Sequence, residues 1–274
     1  MTSPVPDDEA HAAAERPVLT RVARRVRPEV VAHGGVGGRF PGNSRAAMEA
    51  AFEVHPDRIE CDIQASADND LVLVHDDELT LPDGRRRPVR TIPTAELRRL
   101  LPGLLLLDEL VAMDGGRIPL MLDIKSPGYE DLLIAAIRRY DLAARSSVSG
   151  TWGPTLRKIH LVFPEMRVGL STGHWGGGAP TRPLRFVASM LLRGILPPPL
   201  LAAMILTGAT EANLFHRVIS RPLVAAIHAT GRGVNAWTVD RPPEIRRMIA
   251  LGVDGIISNF PARVDAVLEE AGLG

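Results

Sequence analysis

The 274-residue chain is short of several things, and each shortage narrows its class. It has one cysteine, Cys61, so no intramolecular disulfide holds it together, which fits a reducing compartment. It has no net charge: 32 lysines and arginines balance 32 aspartates and glutamates, which removes the usual reason to expect a nucleic-acid partner. The opening MTSPVPDDEAHAAAERP has no basic segment followed by an apolar one, so it does not read as a secretory signal, and a cytoplasmic protein is expected. No apolar run is long enough to cross a bilayer: the richest stretch, 184–206, is broken by Arg185, Arg193 and three prolines at 197–199. A membrane contact by this stretch is left as a possibility without support, and the sequence carries no signal for an oligomeric state.

What is present is a large apolar fraction, 45% of residues, in an ordered pattern. Residues 1–27 read as a polar arm ending in Arg21, Arg24, Arg25 and Arg27. From residue 28 to 274, short apolar runs alternate with stretches of helical spacing. Strands are expected at Val30–His33, Arg58–Ile63, Leu71–His75, Leu120–Ile124, Ser146–Ser149, Arg167–Leu170, Gly233–Val239 and Val253–Ile257. Helices are expected from Asn43 or Ser44 through Phe52, from Thr94, over Leu104–Met113, Tyr129–Tyr140, Leu223–Ala229 and Pro243–Leu251. Such alternation, at a length near the ~250 residues typical of the class, predicts a single-domain (β/α)8 TIM barrel. Residues 174–212, with HWGGGAP and three consecutive prolines, read as an insertion into it.

Four of the runs end in chemistry. Their termini carry His33, the pair Glu60 and Asp62, His75, and the pair Asp123 and Lys125. Side chains alternate across a strand, so Glu60 and Asp62 share one face, as do Asp123 and Lys125, while Cys61 faces the other way as a small core residue. As parallel strands of one barrel, the runs would converge their polar groups on its mouth, where barrel enzymes keep their chemistry. Glu60, Asp62 and Asp123 make an all-oxygen site that suits a divalent cation, Mg²⁺ or Ca²⁺ and also Mn²⁺, rather than zinc. His33 and His75 are the candidate acid and base, and Lys125 is placed to offset charge developing on a phosphate. Gly34, Gly35, Gly37 and Gly38 either cradle phosphate or simply make a flexible loop; without a following Lys-Ser/Thr they are not a P-loop.

With these residues in view, the chain resembles the glycerophosphodiester phosphodiesterase family from about Val30 onward. The resemblance rests on AHGG (32–35), PGNS (41–44), IECDIQ (59–64), LVLVHD (71–76), LMLDIK (120–125), VNAWTVD (234–240) and GVDGIISNFP (252–261). It implies a TIM barrel with a divalent metal on Glu60, Asp62 and Asp123, catalytic histidines at His33 and His75, a phosphate-side lysine at Lys125 and a pocket-lining aromatic at Trp237. It implies a small-molecule phosphodiester substrate, cleaved to glycerol phosphate and an alcohol through attack by the substrate's own hydroxyl. Three positions depart from the family. Gly34 stands where it has arginine, a phosphate contact that Arg39 is expected to replace. Gly42 stands where it has glutamate, and Asp123 where it usually has the longer glutamate, as in the sphingomyelinase D branch. Two alternatives follow: a lysophospholipase D or sphingomyelinase D-like hydrolase of lysolipids, and a weakened barrel that only binds phosphodiesters.

Overall fold

The computed structural model describes residues 26–115, 117–172 and 197–274. The expected arm, apart from its last two residues, and the 174–196 part of the expected insertion lie outside them. Eight parallel strands close a barrel: β1 (Glu29–Ala32), β2 (Arg58–Ala65), β6 (Leu120–Ile124), β7 (Ser147–Gly150), β8 (Arg167–Ser171), β9 (Glu211–Phe215), β10 (Gly233–Trp237) and β11 (Gly255–Ser258). β1 pairs with both β2 and β11, and that double pairing closes the ring. Helices between the strands pack outside, including Arg45–Val54, Glu130–Arg139, Gly153–Val162, Pro197–Thr207, Arg221–His228, Pro242–Leu251 and Pro261–Glu270. Among the described residues no helix is long and apolar enough to cross a membrane.

Two strand assignments change. Leu71–His75 is not a barrel strand; only Leu71–Leu73 is extended, as β3, and it runs antiparallel to β2 with Ile63 opposite Leu73. It looks like a barrel strand because both of its faces are buried. Leu71 and Leu73 join the main core, whereas Val72 and Val74 pack with Val89, Ile92, Leu97 and Leu104 in a small separate cluster. That cluster sits under an excursion containing a two-stranded hairpin, β4 (Glu78–Thr80) and β5 (Arg86–Pro88). The missing barrel strand is β9, whose segment EANLF straddles the end of the expected insertion. It opens on a charged residue, carries a second polar residue at its centre and directly follows an apolar helix, so its pattern is masked.

The two-residue period of the strands separates two environments. On β2, Ile59, Cys61 and Ile63 join the core between barrel and helices. Arg58, Glu60, Asp62 and Gln64 lie on the opposite face, inside the barrel, and all are buried. The barrel interior has three levels. At the N-terminal end, Arg58 lies 2.6 Å from Glu29 and 3.2 Å from Glu211, and also donates to the Ser147 hydroxyl. Arg167 bridges the same two glutamates, at 2.9 Å from Glu29 and closer still to Glu211. Above this plug, Val31, Met121 and Ile257 form an apolar layer against Trp237. Above that lie the carboxylates.

Arg58 is 2% exposed, so deleting it removes one of the two arginines that pair with the buried Glu211 and leaves a void inside the barrel. Arg58→Ala is expected to cost about 2–5 kcal/mol of stability, the range for truncating a large buried side chain. Urea unfolding followed by circular dichroism checks this, and a loss below about 1 kcal/mol would mean that water fills the gap.

Candidate active site

β2 and β6 are neighbours with Asp62 directly opposite Asp123 in the register. One period below Asp62 on β2 is Glu60, and one period beyond Asp123 is Lys125. The ligand oxygens of Glu60, Asp62 and Asp123 lie within 4.8 Å of one another. The Lys125 ammonium reaches between two of them, 2.6 Å from Asp62 Oδ1 and 2.6 Å from Asp123 Oδ2. Three of the four remaining carboxylate oxygens are also held. The Gly34 amide donates to Glu60 Oε2 at 2.8 Å, the Asn43 side-chain amide to Asp62 Oδ2 at 2.5 Å, and the Ser149 hydroxyl to Asp123 Oδ1 at 2.6 Å. Asn43 closes a second bond by accepting from the Asp62 backbone at 2.9 Å.

The glycine-rich loop after β1 exists for this geometry. Gly34 takes a left-handed φ of +56°, which aims its N–H at Glu60. Gly35, at φ +75°, has no room for a side chain, since a Cβ would stand 2.5 Å from the Ala47 carbonyl oxygen.

Electrostatics follow from crowding. Burial, reinforced by the Asp62 charge, raises the Glu60 carboxyl well above the usual carboxylate range. Burial would raise Asp62 too, but the Lys125 ammonium and His75 outweigh it and hold that carboxyl below its ordinary value. Lys125 gains more from Asp123, Asp62 and Glu60 than it loses by burial, so it stays charged. Three carboxylates thus face one ammonium, and their negative charge is only partly offset. An all-oxygen donor set with excess negative charge fits a hard divalent cation, and Cys61 is turned into the apolar core.

The cluster forms one side of a cavity of about 370 Å³ at the C-terminal end of the barrel, lined also by both histidines, Trp152 and Trp237. His33 Nδ1 lies 2.8 Å from Asn259 Oδ1. The Asn259 side-chain amide donates to Asp240 at 2.8 Å, which leaves its carbonyl oxygen to accept from His33. His33 Nε2 is then the nitrogen that exchanges protons. His75 comes from the loop after β3 and lies 2.8 Å from Asp76 through Nδ1. The structure therefore brings His33, His75, Glu60, Asp62, Asp123, Lys125 and Trp237 to one place. Arg39 is not among the residues that line the cavity; it is exposed, 5.2 Å from the Phe40 ring centre. Asn43, Ser149, Asp240, Asn259 and Trp152 were not anticipated as site residues. Asn43, Asp240 and Asn259 do lie within PGNS, VNAWTVD and GVDGIISNFP.

The family model described as the glycerophosphoryl diester phosphodiesterase family matches residues 33–133 and 201–263. The chain belongs to this family. Its relatives include the glycerophosphodiester phosphodiesterase of Caldanaerobacter subterraneus subsp. tengcongensis, 27% identical over 89% of this chain and 98% of the other. Another is the glycerophosphodiester phosphodiesterase of Bacillus altitudinis, 24% identical over 88% and 98%. The crystal structure of a glycerophosphodiester phosphodiesterase from Parabacteroides distasonis superposes with a TM-score of 0.70 at 22% identity, covering 90% of this chain and 99% of that one. A phosphodiesterase from Oleispira antarctica, in complex with the product sn-glycerol-3-phosphate, does so at 0.68 and 21%, covering 88% and 97%. At these identities the two structures establish the shared barrel. Phosphoric diester hydrolysis is the activity after which the family is named, and the cavity of this member has the polar groups for it.

Because Glu60 holds a proton above the ordinary carboxylate range, a cation that needs it ionised must displace that proton. Magnesium binding is expected to release protons and to weaken as pH falls through the raised Glu60 pKa. Calorimetric titration in two buffers of different ionisation enthalpy measures the release, which Glu60→Gln should remove; a binding enthalpy independent of buffer would contradict the assignment.

Proposed function

We propose that the chain hydrolyses glycerophosphodiesters to glycerol phosphate and an alcohol, using a divalent cation and two histidines. The observation that carries this reading is that His33 and His75 line the same cavity as Glu60, Asp123 and Lys125. Glu60, Asp62 and Asp123 would hold the cation, with Mg²⁺, Ca²⁺ or Mn²⁺ matching their oxygen donors. When bound, the cation supplies charge stabilisation to the phosphate and acidifies a nearby hydroxyl.

The residues of the chain do the rest. The neighbouring hydroxyl of the glycerol attacks phosphorus, and one histidine takes its proton. The bond from phosphorus to the alcohol breaks, and the other histidine protonates the departing oxygen. Water then opens the cyclic phosphate, with the histidines in exchanged roles. Asn259 and Asp240 orient His33, and Asp76 orients His75. Lys125, fixed by two carboxylates, offsets charge on the phosphate oxygens. Trp237 packs against Phe215, ring centres 5.6 Å apart, and gives the floor of the cavity an apolar side. The single buried Cys61 accords with a cytoplasmic setting. The lysolipid alternative depends on the apolar stretch 184–206 lying beside the mouth; its first part, 184–196, lies outside the described residues, and its last part is in the helix Pro197–Thr207.

The test is alcohol release from a panel of glycerophosphodiesters with and without chelator; metal-independent turnover would refute the cation's role. Asp62→Asn is expected to abolish metal-dependent turnover while the protein stays folded. His33→Ala and His75→Ala should each lower kcat by about 10²–10⁴-fold with little change in melting temperature. A variant that melts early yet turns over normally would make that histidine structural.

A further inference from the structure

Gln64 lies on the inward face of β2, one period beyond Asp62, and is 2% exposed. It is not among the residues that line the cavity, so it has no direct part in the chemistry. A buried amide is costly unless both of its ends are bonded, and both are. Gln64 Nε2 donates to Asp77 Oδ1 at 2.8 Å, and Gln64 Oε1 accepts from the Ser126 hydroxyl at 2.8 Å. The direction is fixed by chemistry: a carboxylate only accepts, so the amide nitrogen faces Asp77 and the hydroxyl must supply the other proton.

The two partners belong to different parts of the fold. Ser126 follows Lys125 at the exit of β6, so that bond stays within the barrel. Asp77 belongs to the excursion, two residues after His75. The short segment that carries His75 is thereby tied to β2 on both sides. Before the histidine, the Val74 amide donates to the Asp62 carbonyl at 3.0 Å. After it, the Asp77 carboxylate accepts from Gln64. The Asp77 carbonyl also accepts from the Val89 amide at 2.9 Å, a bond that joins the segment to the excursion, whereas the Gln64 bond joins it to the barrel. Asp77 is itself exposed, so water could satisfy its charge, and the bond is not needed to pay for burying a carboxylate.

We propose that Gln64 is a positioning residue for His75: by holding Asp77 it sets where the imidazole stands relative to the carboxylates on the same strand. This rests on the phosphodiesterase reading, in which His75 exchanges a proton with the reacting oxygen. A shift of about 1 Å in such a group can cost on the order of 10²-fold in rate.

The experiment measures kcat, KM and the magnesium dependence of turnover on glycerophosphoglycerol and glycerophosphocholine. Gln64→Met keeps the length of the side chain and removes the amide. It is expected to lower kcat by about 10- to 100-fold, with KM and the magnesium dependence little changed. Asp77→Ala cuts the same bond from the exposed side, without touching the barrel interior, and should lower kcat likewise. Asp77→Asn, whose carbonyl can still accept, should lose less. In a His75→Ala background, Gln64→Met should cost nothing further, because it acts through that ring. Separately from turnover, the imidazole ¹⁵N signals of His75, assigned by their loss in His75→Ala, should shift or broaden in Gln64→Met while those of His33 stay in place. Wild-type kcat in Gln64→Met, or His75 signals unmoved in both Gln64→Met and Asp77→Ala, overturns the proposal. So does a loss that falls on magnesium affinity, or one that multiplies the loss from His75→Ala. A wild-type protein that turns over neither diester overturns the hydrolase reading instead, and the ring signals then still decide whether Gln64 places His75.

Discussion

Everything at the mouth of this barrel depends on confining three carboxylates to a space less than 5 Å across. Like charges so close repel strongly wherever water is scarce, so the arrangement persists only if the backbone holding it is stiff and each carboxylate is bonded. The parallel pairing of β2 and β6 supplies the stiffness, with Asp62 and Asp123 at the same register level. Gly34, Asn43 and Ser149 occupy the outer oxygens, and Lys125 occupies the inner ones. The loop after β1 is therefore part of the cluster's scaffold. Its left-handed glycine and its asparagine deliver two donors that helices and strands of the barrel cannot place there.

The identity of the basic residue is itself constrained. The chain has two lysines among its 32 basic residues, Lys125 and Lys158, and otherwise uses arginine. At the bottom of the barrel, arginine is right: Arg58 and Arg167 each span two glutamates with a broad guanidinium fork. At the top, a compact ammonium is needed to fit between Asp62 and Asp123 at 2.6 Å from both while still leaving the cavity open to substrate. Two ion networks, separated by the layer of Val31, Met121 and Ile257, thus divide the labour. The lower one ties β1, β2, β8 and β9 together, and the upper one serves the chemistry.

Most of this was legible in the chain because period-two alternation carries both messages at once. Arg58–Ala65 shows Ile59, Cys61 and Ile63 on one face and Glu60 and Asp62 on the other, and no other register satisfies both the core and the site. The failures have equally local causes. β3 hid its antiparallel course behind two buried faces, one of them belonging to a satellite cluster that no single segment reveals. β9 carries Glu211 and Asn213 on its inward face, so it lacked the apolar run that marks the other strands, although those residues belong to the barrel interior through Arg58 and Asn235. Arg39 was sought as a substitute for an arginine at position 34 on nearness in sequence alone. The loop's fold decides otherwise, and the Gly34 backbone amide takes up a carboxylate instead.

The two histidines also enter the site by different routes, and this shapes how the site can work. His33 ends a barrel strand, with its backbone amide bonded to Ser258 and its ring bonded to Asn259, which Asp240 holds twice. It is as rigid as the barrel. His75 comes from a loop beyond the ring of strands, its side chain 46% exposed and its ring nitrogen Nδ1 2.8 Å from its sequence neighbour Asp76. In the proposed reaction a proton is taken up at one side of phosphorus and given back at the other, and the two histidines approach that task from different parts of the fold. The fold provides that asymmetry by building one histidine into the barrel and lending the other from the excursion between β2 and β6.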